Sequence, residues 1–201
     1  EMLEVADKFI QSSECKIKEV EQDSAYYSPK SDEIILPPRD YFKNQESFLS
    51  VTLHEMAHST GHESRLNRPL MNQFGTSEYA REELIAELTG TFLQADLNIH
   101  LDGELLEDHT DYLKAWIQIL KDDPNELFRA CNYAEKASQY LMHNYEHELN
   151  QYVKIDETQT KLAKLESDET MKDLSNDIVL DSGEIKLEAV SESMDVEDYE
   201  I

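Results

Sequence analysis

The chain has 201 residues, with 44 acidic and 18 basic side chains, a formal net charge of −26 and a pI near 4.4. That length allows one domain comfortably and two only if both are small. The charge argues against wrapping DNA, RNA or an anionic membrane unaided, and no run of about 18 apolar residues is present to span a bilayer. The opening Glu1-Met2-Leu3-Glu4 lacks a basic n-region and an apolar h-region, so no signal peptide is expected. Cys15 and Cys131 make no disulfide framework. They fit a reducing compartment, with a cytoplasmic address expected and both thiols packed as small apolar groups.

In chain order, Met2, Leu3, Ala6, Phe9 and Ile10 recur at helical spacing and predict an opening helix. Lys16–Val20, Ala25–Tyr27 and Glu33–Leu36 are short strand-like runs. Ser28-Pro29-Lys30-Ser31-Asp32 reads as the turn between the last two, and Pro37-Pro38 stops the final strand. From there the pattern is helical. One helix is predicted over Glu46–Thr60 with Gly61 as its C-terminal cap. A second is predicted over Ser77–Ile99, with Ser77 as N-cap and Leu84, Ile85, Leu88 and Phe92 towards the core. Two more follow, near Asp108–Lys121 and Pro124–His147, with Pro124 in the first turn of the last. A small sheet followed by a run of helices is the α+β pattern. Residues 151–201 carry 15 of the acids and 5 of the bases, a net of −10. The expected organisation is therefore a folded domain over 1–150 and an acidic tail over 151–201, with a small hairpin near 178–190.

The informative segment is His54-Glu55-Met56-Ala57-His58. Helical positions four apart lie on one face, so both imidazoles can reach a single ion. Zn²⁺ accepts such nitrogen ligands and, in catalytic sites, keeps a position open for water. Glu55 is then placed to hydrogen-bond that water and act as general base, which is the HExxH logic. The plain alternative is a buried helix whose histidines are satisfied by hydrogen bonds. The motif sits among Phe48, Leu49, Val51, Leu53, Met56 and Ala57, where unligated polar groups are costly.

A third ligand is needed. His62 lies four residues beyond His58, but Gly61 is expected to end the helix between them. His58 and Gly61 fit HExxHxxG, yet Ser64 stands where the metzincin pattern requires a histidine. The other candidate is Glu83, which shares a helical face with Glu87, while Gly90 would let a neighbouring helix approach closely. Glu83 as ligand and Glu87 as acceptor for a histidine ring N–H is the gluzincin arrangement. Glu82 is the rival if the helix register differs. The bland reading of these acids is a solvated helix N-terminus.

The run His54–Arg68, followed by Phe74-Gly75 and by Tyr79-Ala80, Glu82-Glu83-Leu84 and Ala86-Glu87-Leu88, resembles the zincin-like metallopeptidase domain of ArdC-type antirestriction proteins. These are also grouped as polyvalent-protein metallopeptidases of plasmids, conjugative elements and phages. The similarity extends through Ala25–Pro29, Leu36-Pro37-Pro38, His109, Tyr112, Trp116 and Ala134–Leu141, and covers about 1–143. It implies a zincin fold in which a small antiparallel or mixed sheet packs on a helical bundle that carries the HExxH helix. One Zn²⁺ per chain is implied. It also implies an N-terminal single-stranded-DNA-binding domain in the parent protein, outside this chain, so this fragment is not expected to bind nucleic acid itself. A peptidase needs a group to stabilise the oxyanion. His109 and Tyr112 are the candidates, against a packing role between helices. Trp116 is expected in the core, and Arg65 and Arg68 are expected to anchor the loop after Gly61 by pairing with carboxylates.

These features support a zinc peptidase with His54, His58 and Glu83 as ligands and Glu55 as base, acting on a peptide or protein substrate. The competing reading is a metal-stapled, non-catalytic acidic module that engages a DNA-processing or restriction protein.

Overall fold

The computed structural model describes residues 2–70, 76–99 and 110–178. Helix α1 spans Met2–Gln11, and strands β1 (Lys16–Glu19), β2 (Tyr26–Ser28) and β3 (Glu33–Leu36) follow. After a 3₁₀ turn at Arg39–Tyr41 come α2 (Gln45–Ser59), α3 (Ser77–Asp96), α4 (Thr110–Asp122) and α5 (Glu126–Ile178). The sheet is mixed, with order β1-β3-β2. β1 runs parallel to β3 and β2 antiparallel to it, with Tyr27 opposite Ile34. The turn between β2 and β3 closes on Asp32 at φ 51°, a left-handed conformation that a short polar side chain tolerates.

The principal core lies between the sheet, α1 and α2. Phe9, Ile34, Leu36, Leu53 and Met56 are fully buried there, and Leu141 and Tyr145 of α5 close it. A second cluster joins Ala80, Leu84 and Ile85 of α3 to Trp116, Ala130 and Ala134. The Trp116 indole N–H donates to the Ala80 carbonyl at 2.8 Å, so its core placement follows the expectation. The consequence for α2 is that Phe48, Leu49, Thr52, Leu53 and Met56 face the sheet side while the opposite face meets α3. The side of α2 that meets α3 is only partly exposed, so the polar groups it carries there, His54 and His58, find partners within the protein.

Several local expectations are corrected. The α3 N-cap is Thr76, whose side chain accepts from the Tyr79 N–H, and not Ser77. The α2 C-cap is Thr60 in right-handed geometry. Gly61 serves by its lack of a side chain: a Cβ there would come within 2.6 Å of Leu70 Cδ2 and 3.1 Å of Arg68 Nη2. Gly90, by contrast, would meet nothing within 4 Å, so it admits no close neighbour. Pro124 precedes α5, in a turn where the Glu126 N–H bonds the Asp123 carbonyl.

By its contacts the chain divides into Glu1–Tyr152 and Val153–Ile201. In the second unit helix persists to Ile178, in a segment whose four lysines, three glutamates and three leucines are good helix formers. Apart from Ile178, the hairpin expected near 178–190 lies outside the described residues. No described helix is long and apolar enough to cross a membrane.

Candidate metal centre

The site is built where α2 crosses α3. On α2, His54 and His58 stack as the four-residue spacing requires, with ring centroids 4.7 Å apart and planes at 82°. Their Nε2 atoms are 3.0 Å from each other. Glu83 on α3 reaches both, with one carboxylate oxygen 3.4 Å from His54 Nε2 and the other 3.5 Å from His58 Nε2. One ligand atom from each of the three residues lies within 4.8 Å of the others.

The far sides of the rings determine what those Nε2 atoms are. His54 Nδ1 is 3.1 Å from Glu87 Oε1, and His58 Nδ1 is 3.2 Å from Glu82 Oε1. A carboxylate can only accept, so the His58–Glu82 hydrogen bond places an imidazole proton on Nδ1 and leaves His58 Nε2 as a lone pair, while Glu87, at ion-pair distance from His54 Nδ1, favours the same tautomer there. The two Nε2 atoms, 3.0 Å apart with the Glu83 carboxylate beside both, converge on a locus that positive charge satisfies, as a proton or as a metal ion. The donor set of two imidazole nitrogens and a carboxylate oxygen suits a divalent transition ion.

The electrostatics favour positive charge at the same locus, carried by a proton or by a metal ion. Burial alone would depress the His54 imidazole, but Glu83 and Glu87 outweigh it and push it up to about 10. Burial alone would likewise raise the Glu83 carboxyl, yet His54 and His58 hold it below the usual range. Glu82 is also held low against its burial, by Arg68 and then His58. The carboxylates of Glu55, Glu82, Glu83 and Glu87 thus gather around the guanidinium of Arg68 and two imidazoles, a cluster that attracts positive charge.

Glu55 is buried on α2 beside His54 and adds to the field at that ring. Among the described residues no group hydrogen-bonds its carboxylate, which therefore keeps its acceptor capacity for water or substrate.

The structure brings together His54, His58, Glu83, Glu87 and Glu55 as the sequence pattern led one to expect. It separates His62, whose Nδ1 faces Ser64 Oγ at 2.8 Å in the loop after Gly61. It places Glu82 behind His58, so the rival carboxylate takes a different part in the same site. Arg65 and Arg68 anchor that loop as anticipated. Arg65 donates to the Ser59 carbonyl at 2.7 Å and pairs with Asp32, and Arg68 forks onto Glu82. His109 lies outside the described residues, and Tyr112 falls in the first turn of α4, at a position where only the backbone is described. The contact of Glu82 with His58 is the feature sequence reasoning missed; an arginine 14 residues before an acid carries no motif that signals it.

A family model described as zincin-like metallopeptidase matches residues 4–133. The chain belongs to the zincin-like metallopeptidases. Two Escherichia coli proteins called DNA primase TraC are each 38% identical over 141 residues. The match covers 70% of this chain but only 13% and 10% of theirs. An uncharacterised protein of Sinorhizobium fredii, y4eC, is 31% identical over 141 residues, 70% of this chain and 45% of its own. Among solved structures, a plasmid antirestriction protein ArdC bound to Mn(II) superposes with a TM-score of 0.63 at 34% identity. That alignment covers 70% of this chain and 51% of ArdC, and a metal-free ArdC structure gives the same score. This chain therefore has a zincin-like fold and spans about half of ArdC and a smaller part of the TraC proteins.

Proposed function

We propose that this zincin-like domain is a metal-dependent peptidase, with zinc the ion its donor set favours. The observation that carries the reading is the convergence of His54 Nε2, His58 Nε2 and the Glu83 carboxylate, with the buried Glu55 carboxylate next to it. The chemistry such an ion supplies when bound is Lewis acidity, polarising a carbonyl and bringing the pKa of water towards 7. The chain's own residues do the rest. Glu87 and Glu82 hold the imidazole protons on Nδ1 so that both Nε2 atoms face inwards. Glu55 takes the proton of the attacking water at its carboxylate and returns it to the departing amide nitrogen. Donors to the oxyanion are assigned to His109 and Tyr112 by the same reading.

The test is Glu55→Gln, assayed on a library of quenched fluorescent peptides alongside elemental analysis. One ion per chain is expected in both proteins, with hydrolysis falling about 10²–10⁴-fold in the variant. Hydrolysis at the wild-type rate by Glu55→Gln overturns the assignment of the base. Absence of bound metal from the wild type after reconstitution overturns the reading as a whole.

A further inference from the structure

The proposed hydrolysis draws on Glu82 through His58 but assigns no part to Arg68, which holds Glu82 itself. Glu82 sits one position before Glu83, both are buried, and both touch His58. What distinguishes them is Arg68. Its guanidinium grips Glu82 through two parallel bonds, Nε to Oε2 at 2.9 Å and Nη2 to Oε1 at 2.7 Å. The guanidinium is itself fixed, since Nη1 donates to Thr60 Oγ1 at 2.7 Å and Nη2 also donates to the Ala57 carbonyl at 3.0 Å. The arginine side chain is 2% exposed and that of Glu82 is 9% exposed.

An ion pair this deeply buried is weak evidence of a stabilising purpose, because desolvation offsets much of its attraction. Its geometry points elsewhere. Oε1 of Glu82 accepts from Arg68 and also from His58 Nδ1, so the planar fork that fixes the carboxylate fixes the ring as well. A carboxylate held on the outer nitrogen cannot turn to the inner one.

We propose that Arg68 and Glu82 are a positioning pair for His58: the guanidinium locks the carboxylate, the carboxylate locks the imidazole with its proton on Nδ1, and Glu83 is left as the carboxylate that faces the ion. Arg68 thereby decides which of two adjacent glutamates is the ligand. It also ties the loop after Gly61, on which it lies, to the geometry of the site. The proposal rests on the reading of His54, His58 and Glu83 as a metal centre.

The test uses the full chain and Co²⁺ alone as probe, with affinity measured by chelator competition, the visible absorption of the bound ion recorded, and folding followed by circular dichroism. The variants are Glu82→Gln, Arg68→Met and their double. Partners behind a ligating histidine typically change metal affinity 10–100-fold. Glu82→Gln, which keeps an acceptor oxygen, is expected near the lower end, about 10-fold, and Arg68→Met at or above that. Because the residues act in series, the double variant is expected within about threefold of the weaker single one. Arg65→Met serves as the control: it removes a comparable buried guanidinium from the neighbouring loop pin and is expected to leave Co²⁺ affinity and absorption unchanged. Since Arg68 also holds Thr60 and Ala57, Arg68→Lys replaces Arg68→Met if the latter does not fold. It keeps the charge without the fork and is expected to weaken binding in the same direction.

A folded Glu82→Gln that binds Co²⁺ as the wild type does overturns the pair. So does a double variant whose loss equals the product of the single losses. Failure of the wild type to take up Co²⁺ is a different result: it removes the metal centre, and this proposal with it.

Discussion

Two clusters of buried charge lie a short loop apart, and they are organised differently. In the first, Arg65 pairs with Asp32 on both of its terminal nitrogens, and the Tyr27 hydroxyl donates to Asp32 Oδ1 at 2.8 Å. One acid meets one base, each donor finds an acceptor, and the result pins the loop after α2 to the β2–β3 turn. In the second, Glu55, Glu82, Glu83 and Glu87 surround two histidines and Arg68, and three acceptor groups point at one locus. A balanced cluster is finished by its own residues. An unbalanced one attracts a cation, and this contrast is what singles out the second cluster as the candidate metal site.

The sharpest way to break the contrast is to remove an acceptor from the unbalanced cluster. Glu83→Ala is expected to weaken binding of a divalent ion by more than about 100-fold, beyond what outer partners contribute, while the apoprotein stays folded. Titration with Zn²⁺ in the presence of a competing chelator measures this, and an unchanged affinity would show that the carboxylate is not a ligand. Next in size is the balanced cluster. Arg65→Met strands the Asp32 carboxylate, and breaking a buried pair costs about 3–5 kcal/mol. Asp32 is 34% exposed and partly screened by water, so about 2 kcal/mol is expected in urea unfolding. The smallest effect is the pH dependence of that same pair. Arg65 and then Tyr27 hold the Asp32 carboxyl down to about 2 against its burial, below the ordinary value of about 3.9. Between those values the unfolded chain binds a proton that the folded one does not. The pair's contribution is therefore present above about pH 4 and fades as pH falls towards 2. The stability gap between wild type and Arg65→Met should narrow over that interval, and a gap that stays constant would show that Asp32 is not the partner.

Much of this was legible beforehand where local rules suffice. The turn ending at Asp32, the strand Glu33–Leu36 and the helix over the HExxH segment each follow from a few adjacent residues whose preferences agree. The two glycines show where local reading stops. Gly61 and Gly90 look alike in sequence, yet only Gly61 has neighbours, Leu70 and Arg68, in the space a side chain would fill. The helical course of α5 to Ile178 was hidden for a different reason, since acidic composition by itself does not separate an exposed helix from a loop.

The sequence by itself determined that His54 and His58 share a face with Glu55 beside them, because the helical repeat admits no other arrangement of residues four apart. It favoured a carboxylate from the Glu82–Glu87 stretch over His62 as the group that would join them. It did not determine which one, since Glu82 and Glu83 are neighbours a third of a turn apart and either can face inwards. That choice belongs to the tertiary structure. Packing of Ala80, Leu84 and Ile85 against Trp116 sets the rotation of α3, and Arg68, arriving on the loop from α2, holds Glu82 on the outer nitrogen of His58. Rotation and clamp both depend on residues distant in sequence, whose effect on one helical face exists only once the chain has folded.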